Sequence, residues 1–296
     1  NEESFLHIID SRKDPFSLTG PSNHHRVYVH NTRESKIWEL MLIFPNLRSL
    51  LLFGDNYWEP KVEDLGILLP KLLRVLDLGD LKFYESFPME VLLLVHLRHL
   101  ALCKTRSIPA AIDNLSRLET LIVNGPYLQI VLPDTIWNIK TLSNLSIEPH
   151  GTKNYTHGFI FRVGNLEVYP DLDHLNTLNL AIDSSSKSLQ KLLTKLPSIR
   201  RLKCAGRLNP CKATKNCDEI LQFDCLSQLE SLRLIRLRGY GFKFPLNLKK
   251  LVLSWNSQPW TEISKIGKLP NLEVLKLLNY SFDGEEWVVK GSSLTS

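Results

Sequence analysis

The side chains in this 296-residue sequence best suited to chemistry are five cysteines, nine histidines and a few adjacent carboxylates. Cys204, Cys211, Cys217 and Cys225 fall in one stretch at spacings of seven, six and eight residues, and Cys103 stands apart. Zinc centres draw on closely spaced ligand pairs such as C-x-x-C, because two donors must reach one ion from a single turn. No such pair occurs here. An odd cysteine count also disfavours a secreted disulfide framework and favours reduced thiols, as in a cytoplasmic protein. His24-His25 and His96-x-x-His99 are not part of an H-E-x-x-H set. Asp77 with Asp80, and Glu285 with Glu286, have no accompanying pocket signature and read as a solvated face, and the Ser, His and Asp residues occur without a nucleophile elbow. The phosphate-binding pattern G-x-x-x-x-G-K-[ST] is absent. The expectation is therefore no catalytic residue, no metal and no cofactor in this chain: it is not read as an enzyme.

What remains is how the chain is organised. Its composition, 43% hydrophobic and 23% charged, supports a substantial core. No apolar run approaches the roughly 18 residues needed to span a bilayer, and the opening NEESFLHIIDSRKD has no basic-then-apolar signal pattern. The formal charge of +5 is uneven. Residues 1–150 hold 15 Lys and Arg against 18 Asp and Glu; residues 151–296 hold 21 against 13.

The dominant signal is a repeat. The pattern L-x-x-L-x-L, with Ile, Val or Cys allowed at its apolar places, begins at Leu47, Leu73, Leu97, Leu118, Leu142, Leu175, Ile199, Leu229, Leu248 and Leu272. The starts lie 26, 24, 21, 24, 33, 24, 30, 19 and 24 residues apart. A degenerate eleventh copy is read at Arg26–Val29. Periods near 20–29 with this pattern are those of leucine-rich repeats. Alternation in each copy suits a short strand with one buried face, and a strand that cannot shelter alone must stack on its neighbours. The expected fold is an α/β leucine-rich-repeat solenoid. In this curved horseshoe a parallel sheet lines the concave face, and short helices, 3-10 turns and loops form the convex side.

The return segments Phe87–Val91, Ile108–Ile112 and Leu132–Ile136 each carry Pro at the second place and an apolar residue three positions further on. Each predicts one short helical turn with Pro at its start. The spans 149–174 and 205–228 are expected to be protruding or irregular. Residues 1–25 read as a lead-in segment. Residues 26–296 read as a repeat domain of about ten to eleven units, truncated at both ends because no polar capping unit is recognised.

In L-x-x-L-x-L the third and fifth residues face out of the core. Through the first six copies none of these is Lys or Arg, and Leu51 and Ile122, with Phe53 just beyond, are apolar. In the last four they include Arg201, Lys203, Arg233, Lys250 and Lys276, flanked by Arg200, Arg236, Lys249 and Trp255. These nine residues are the candidate partner-binding surface. An aromatic among cations suits an interface, here one that docks an acidic protein surface.

Leu73–Leu102 (LRVLDLGDLKFYESFPMEVLLLVHLRHLAL), Leu132–Leu142 (LPDTIWNIKTL) and Lys265–Val289 (KIGKLPNLEVLKLLNYSFDGEEWVV) resemble repeats of plant intracellular nucleotide-binding leucine-rich-repeat immune receptors of the coiled-coil class. The resemblance implies a domain that recognises a pathogen effector or a guarded host protein and restrains a nucleotide-binding switch domain. ADP or ATP would belong only to that switch domain. It further implies a cytoplasmic location with no membrane span. A substrate-recognition arm of a ubiquitin-ligase adaptor is the alternative. Nucleic-acid binding is set aside because the basic half lacks regular aromatic interleaving. The sequons at Asn114, Asn144, Asn154 and Asn279 are read as incidental.

Overall fold

A computed structural model describes residues 7–10, 24–30, 43–53, 69–82, 87–103, 105, 107–125, 132–149, 171–182, 186–206 and 220–284. Each coil is built from a turn and a strand. In the turn, the amide of the first repeat leucine donates to the carbonyl of the residue three before it. Leu47 donates to Phe44 at 3.2 Å, Leu97 to Leu94 at 2.9 Å, Leu118 to Leu115 at 2.9 Å and Leu229 to Leu226 at 3.1 Å. The same bond recurs at Leu73, Leu142, Leu175, Ile199, Leu248 and Leu272. It reverses the chain at a fixed point, so every strand starts two residues later.

The strands are β1 (His7–Asp10), β2 (Arg26–His30), β3 (Ser49–Phe53), β4 (Val75–Lys82), β5 (His99–Cys103), β6 (Thr120–Gly125), β7 (Asn144–Pro149), β8 (Thr177–Ile182), β9 (Arg201–Gly206), β10 (Ile220–Gln222), β11 (Ser231–Ile235), β12 (Gly241–Lys243), β13 (Lys250–Ser254), β14 (Gln258–Pro259), β15 (Val274–Leu278) and β16 (Phe282–Asp283). Twelve of them make one all-parallel sheet in the order β1-β2-β3-β4-β5-β6-β7-β8-β9-β11-β13-β15. The pairs β10-β12 and β14-β16 are separate two-stranded sheets on the return side. All ten repeat copies yield a strand, and so does the degenerate copy at Arg26. The sheet also reaches back to β1, inside the stretch read as lead-in.

Register aligns identical positions. Leu50, Leu76, Leu100, Leu121, Leu145, Leu178, Leu202, Leu232, Leu251 and Leu275 are partners in succession across ten strands. All but the last are buried. Each buried leucine is worth about 1.5–3 kcal/mol over an exposed one, so this column is the spine of the core. Beyond β15 no further strand pairs among the described residues, and Leu275 and Leu277 are each 40% exposed.

The three proline-led segments are 3-10 helices, Met89–Leu93, Ala110–Asn114 and Asp134–Asn138, each preceded by an extended proline, as the spacing predicts. A two-turn helix, Ser186–Thr194, serves the same purpose later. Trp137 is buried in this layer. Of the two spans expected to be irregular, 150–170 and 207–219 lie outside the described residues. No described helix is long and apolar enough to cross a membrane.

Where the strands end, side chains must satisfy backbone groups that the sheet leaves behind. Asn256 is fully buried; its Nδ2 donates to Leu234 O at 3.0 Å and its Oδ1 accepts from Leu237 N at 2.9 Å. One coil later Ser281 Oγ donates to Leu253 O at 2.7 Å. Asn256→Ala orphans a buried donor and a buried acceptor, so it should cost about 2–4 kcal/mol. Urea unfolding of the variant, followed by circular dichroism, checks that loss.

Candidate functional site on the concave sheet

The outward rows follow from the same register. Row three runs Arg26, Ser49, Val75, His99, Thr120, Asn144, Thr177, Arg201, Ser231, Lys250, Val274. Row five runs Tyr28, Leu51, Asp77, Ala101, Ile122, Ser146, Asn179, Lys203, Arg233, Val252, Lys276. Arg201, Lys203, Arg233, Lys250 and Lys276 therefore share one face, on β9, β11, β13 and β15, and all but the half-buried Lys203 are exposed. At about 4.8 Å between strands they form a dense positive field.

The other four candidates divide between the two rims of that face. Arg200 and Lys249 precede their strands, on the leading rim. A backbone ladder there carries Arg200 N to Asn176 O, Glu230 N to Arg200 O and Lys249 N to Glu230 O, each at 2.9 Å. Lys249 Nζ stands 3.7 Å from the Glu230 carboxylate, both half exposed, so its charge is partly answered. Arg236 and Trp255 follow their strands, on the trailing rim, some five residues away. The nine residues thus form a field with two borders and not one compact cluster.

The trailing rim has an unusual backbone. Arg236 (φ 56°), Trp255 (φ 59°) and Asn279 (φ 32°) occupy equivalent places after successive strands in the left-handed region, which non-glycine residues seldom adopt. Arg236 N donates to Ser254 O at 2.9 Å, and Trp255 N to Asn279 O at 2.7 Å, so each turn is held by the next. Gly206 makes room for this: a Cβ there would collide with the carbonyl oxygen of Arg236. Trp255 packs against Tyr280 with ring centroids 5.0 Å apart, and Tyr280 is 68% exposed. Tyr280 lies beyond the six residues of the repeat pattern, in a left-handed turn (φ 49°) after β15. Trp260, by contrast, stacks on Phe282 at 4.8 Å.

A second set of cations is invisible when only rows three and five are counted. Arg48, Arg74 and Arg98 are exposed on the leading rim of the first half. Their backbones are joined in series, Arg74 N to Arg48 O at 2.7 Å and Arg98 N to Arg74 O at 2.8 Å. Arg98 meets Glu119 at 3.1 Å; Arg48 and Arg74 have no ion pair among the described residues. The neutral concave face of that half is thus bordered by guanidinium groups able to take carboxylates. Towards β1 the face itself turns apolar, with Ile8 66% exposed and Tyr28 stacked on Phe53 at 5.0 Å.

Between the halves lies an open hollow of about 420 Å³ lined by Asn144, Asn176, Thr177, Arg200, Arg201 and Glu230. Cys103 and Cys204 are buried, and burial pushes the Cys204 thiol up to about 12, so it stays protonated. Cys225 is exposed, and Cys211 and Cys217 lie outside the described residues. The described residues bring together no group of three metal-ligating side chains.

Residues 46–293 match the model of a leucine-rich repeat region. A putative late blight resistance protein homologue of Solanum demissum is 34% identical over 260 residues, covering 79% of this chain and 18% of its own. A second protein of the same plant, named for late blight resistance without that qualification, is 32% identical over 255 residues, with the same coverage. The chain therefore spans about a fifth of the length of these relatives. Among solved structures, an internalin of Listeria monocytogenes aligns with a TM-score of 0.56 at 18% identity, over 85% of this chain and 66% of that one. A leucine-rich-repeat protein of Leptospira interrogans aligns at 0.50 and 24% identity, over 88% and 69%. These two likenesses concern the fold.

The sheet face also carries a pH response. His99, in row three, titrates below the usual 6.5 because burial penalises its cation, an effect that Asp77 only partly offsets. His7 and His174 are lowered for the same first reason. An unfolded chain takes up these protons nearer pH 6.5 than the folded chain does. Their contribution to stability is therefore complete above that value and is lost as pH falls below it. The urea midpoint should drop between pH 7.5 and pH 5.5, and His99→Gln should shrink that drop.

Proposed function

This chain belongs to the leucine-rich repeat region family, and on that premise we propose that it is the partner-binding domain of a plant disease-resistance receptor. Its concave sheet recognises a pathogen effector or a guarded host protein, and also holds a nucleotide-binding switch domain at rest, in the cytoplasm. The observation that carries this reading is the exposed field of Arg201, Arg233, Lys250 and Lys276 beside Lys203, on adjacent strands of one continuous face. A field of one sign steers an oppositely charged surface into register and speeds association. The flanking aromatic pair supplies the apolar anchor that charges alone lack.

The late blight resistance names of the relatives support the receptor reading over the ubiquitin-ligase alternative. The domain works by binding and not by catalysis, and ADP or ATP acts elsewhere in the receptor. Nucleic acid is not its ligand, since the cations alternate with Ser231, Val252 and Val274 and do not track a backbone of even charge.

Changing Arg201, Lys203, Arg233, Lys250 and Lys276 together to Glu should leave the circular-dichroism spectrum intact. In the intact receptor the change should either abolish the cell-death response to its elicitor or release that response without one. Association with the recognised protein should slow by about tenfold or more at physiological salt. A receptor whose response is unaltered by all five reversals would remove the basic face from its function.

A further inference from the structure

The hollow at the leading ends of β7, β8, β9 and β11 holds unspent polar groups of two complementary kinds. Arg200 and Arg201 are both exposed, and among the described residues neither guanidinium has an acidic partner. The carboxylate in the lining, Glu230, is taken up by Lys249 at 3.7 Å. The Asn144 amide nitrogen donates to Ser143 Oγ at 3.1 Å and to Thr120 Oγ1 at 3.4 Å, while the side-chain carbonyl oxygen of this lining residue has no donor among the described residues. The Asn176 amide and Thr177 hydroxyl add further donors and acceptors without a partner among the described residues.

We infer that this hollow receives a short extended peptide segment bearing an acidic side chain. The carboxylate lies on the Arg200 and Arg201 guanidinium groups, and the flanking peptide groups pair with Asn144, Asn176 and Thr177. Guanidinium forks suit a carboxylate bidentately. A bare inorganic anion would satisfy the arginines but would leave the Asn144 carbonyl oxygen without a donor, whereas a peptide N–H can supply one. The dimensions agree. Four strands at about 4.8 Å span roughly 14 Å, the reach of about four extended residues. A volume of about 420 Å³ lies within the usual range for small-ligand sites, and the polar lining selects a polar occupant. The inference rests on the concave sheet being a protein-binding surface and names what one part of that surface grips: an unfolded acidic segment and not the face of a folded domain.

The test uses the whole 296-residue chain and saturation-transfer NMR with four probes: the capped peptides Ac-Ser-Glu-Ser-NH2 and Ac-Ser-Gln-Ser-NH2, glutarate and inorganic phosphate. The Glu peptide should bind at least about tenfold more tightly than the Gln peptide, and more tightly than glutarate or phosphate. Arg200→Gln with Arg201→Gln should erase the preference for Glu while the urea midpoint holds. Lys268→Gln, which removes an exposed cation that does not line the hollow, should leave binding unchanged. Equal binding of the Glu and Gln peptides, or of glutarate and the Glu peptide, would overturn the inference. So would displacement of the peptide by phosphate at matched concentration, or an unaffected double variant. The double variant keeps Lys203, Arg233, Lys250 and Lys276, so peptide binding can fail while receptor recognition survives. Conversely, the unaltered chain can bind the peptide even where the fivefold reversal, which includes Arg201, leaves cell death unchanged.

Discussion

Everything in this molecule depends on one column of leucines that no single coil could shelter. Leu50 through Leu251 meet in register across nine strands and are removed from water only because each has a neighbour above and below. The burial is cooperative along one axis and absent across it. One face of the sheet is therefore committed to the core. The other is largely free of that requirement, although Ala101 and Val252 are covered on it, so an exposed Arg201 can stand there without disturbing the core.

That freedom explains how the surface is graded. From β1 to β15 the concave side passes from Ile8, Tyr28 and Phe53, through the hydrogen-bonded Asn144, Ser146 and Asn179, to the lysines and arginines of the last four strands. The rims obey a different rule, since backbone ladders fix their residues rather than side-chain burial. Arg48, Arg74 and Arg98 on one rim and Arg236 and Trp255 on the other are held by carbonyl–amide bonds to the next coil. A partner lying in the horseshoe would meet a soft apolar end, a polar middle and a charged end, between edges whose spacing is set by main chain.

Most of the fold was legible because a single rule generates it. The L-x-x-L-x-L pattern located ten strands and their outward residues, and the Pro-led segments located three 3-10 helices. β1 was not legible because His7-Ile8-Ile9-Asp10 lacks the leucine that makes the preceding turn, so only pairing with β2 reveals it. The small sheets β10-β12 and β14-β16 escaped for a related reason: two or three residues are too few for a period of two to register. In the candidate site, the five face cations were placed by alternation alone. Arg48, Arg74 and Arg98 were passed over because the second position of the pattern was counted as flank. Tyr280 was missed because it lies past the end of the six-residue pattern, and the partial neutralisation of Lys249 by Glu230 depends on a neighbour nineteen residues earlier in sequence.

The turn that closes each coil has a last consequence. Because it fixes where a strand starts from within its own coil, a return segment can grow or shrink without moving any side chain from the wet face to the dry one. The 19-residue and 33-residue spacings coexist in one unbroken sheet. Gaining or losing a single residue inside a strand would invert that coil, whereas gaining or losing an entire coil would only lengthen or shorten the horseshoe. The architecture thus tolerates genetic change in whole modules, and its recognition surface can be edited as a string of interchangeable cassettes while the scaffold beneath stays the same.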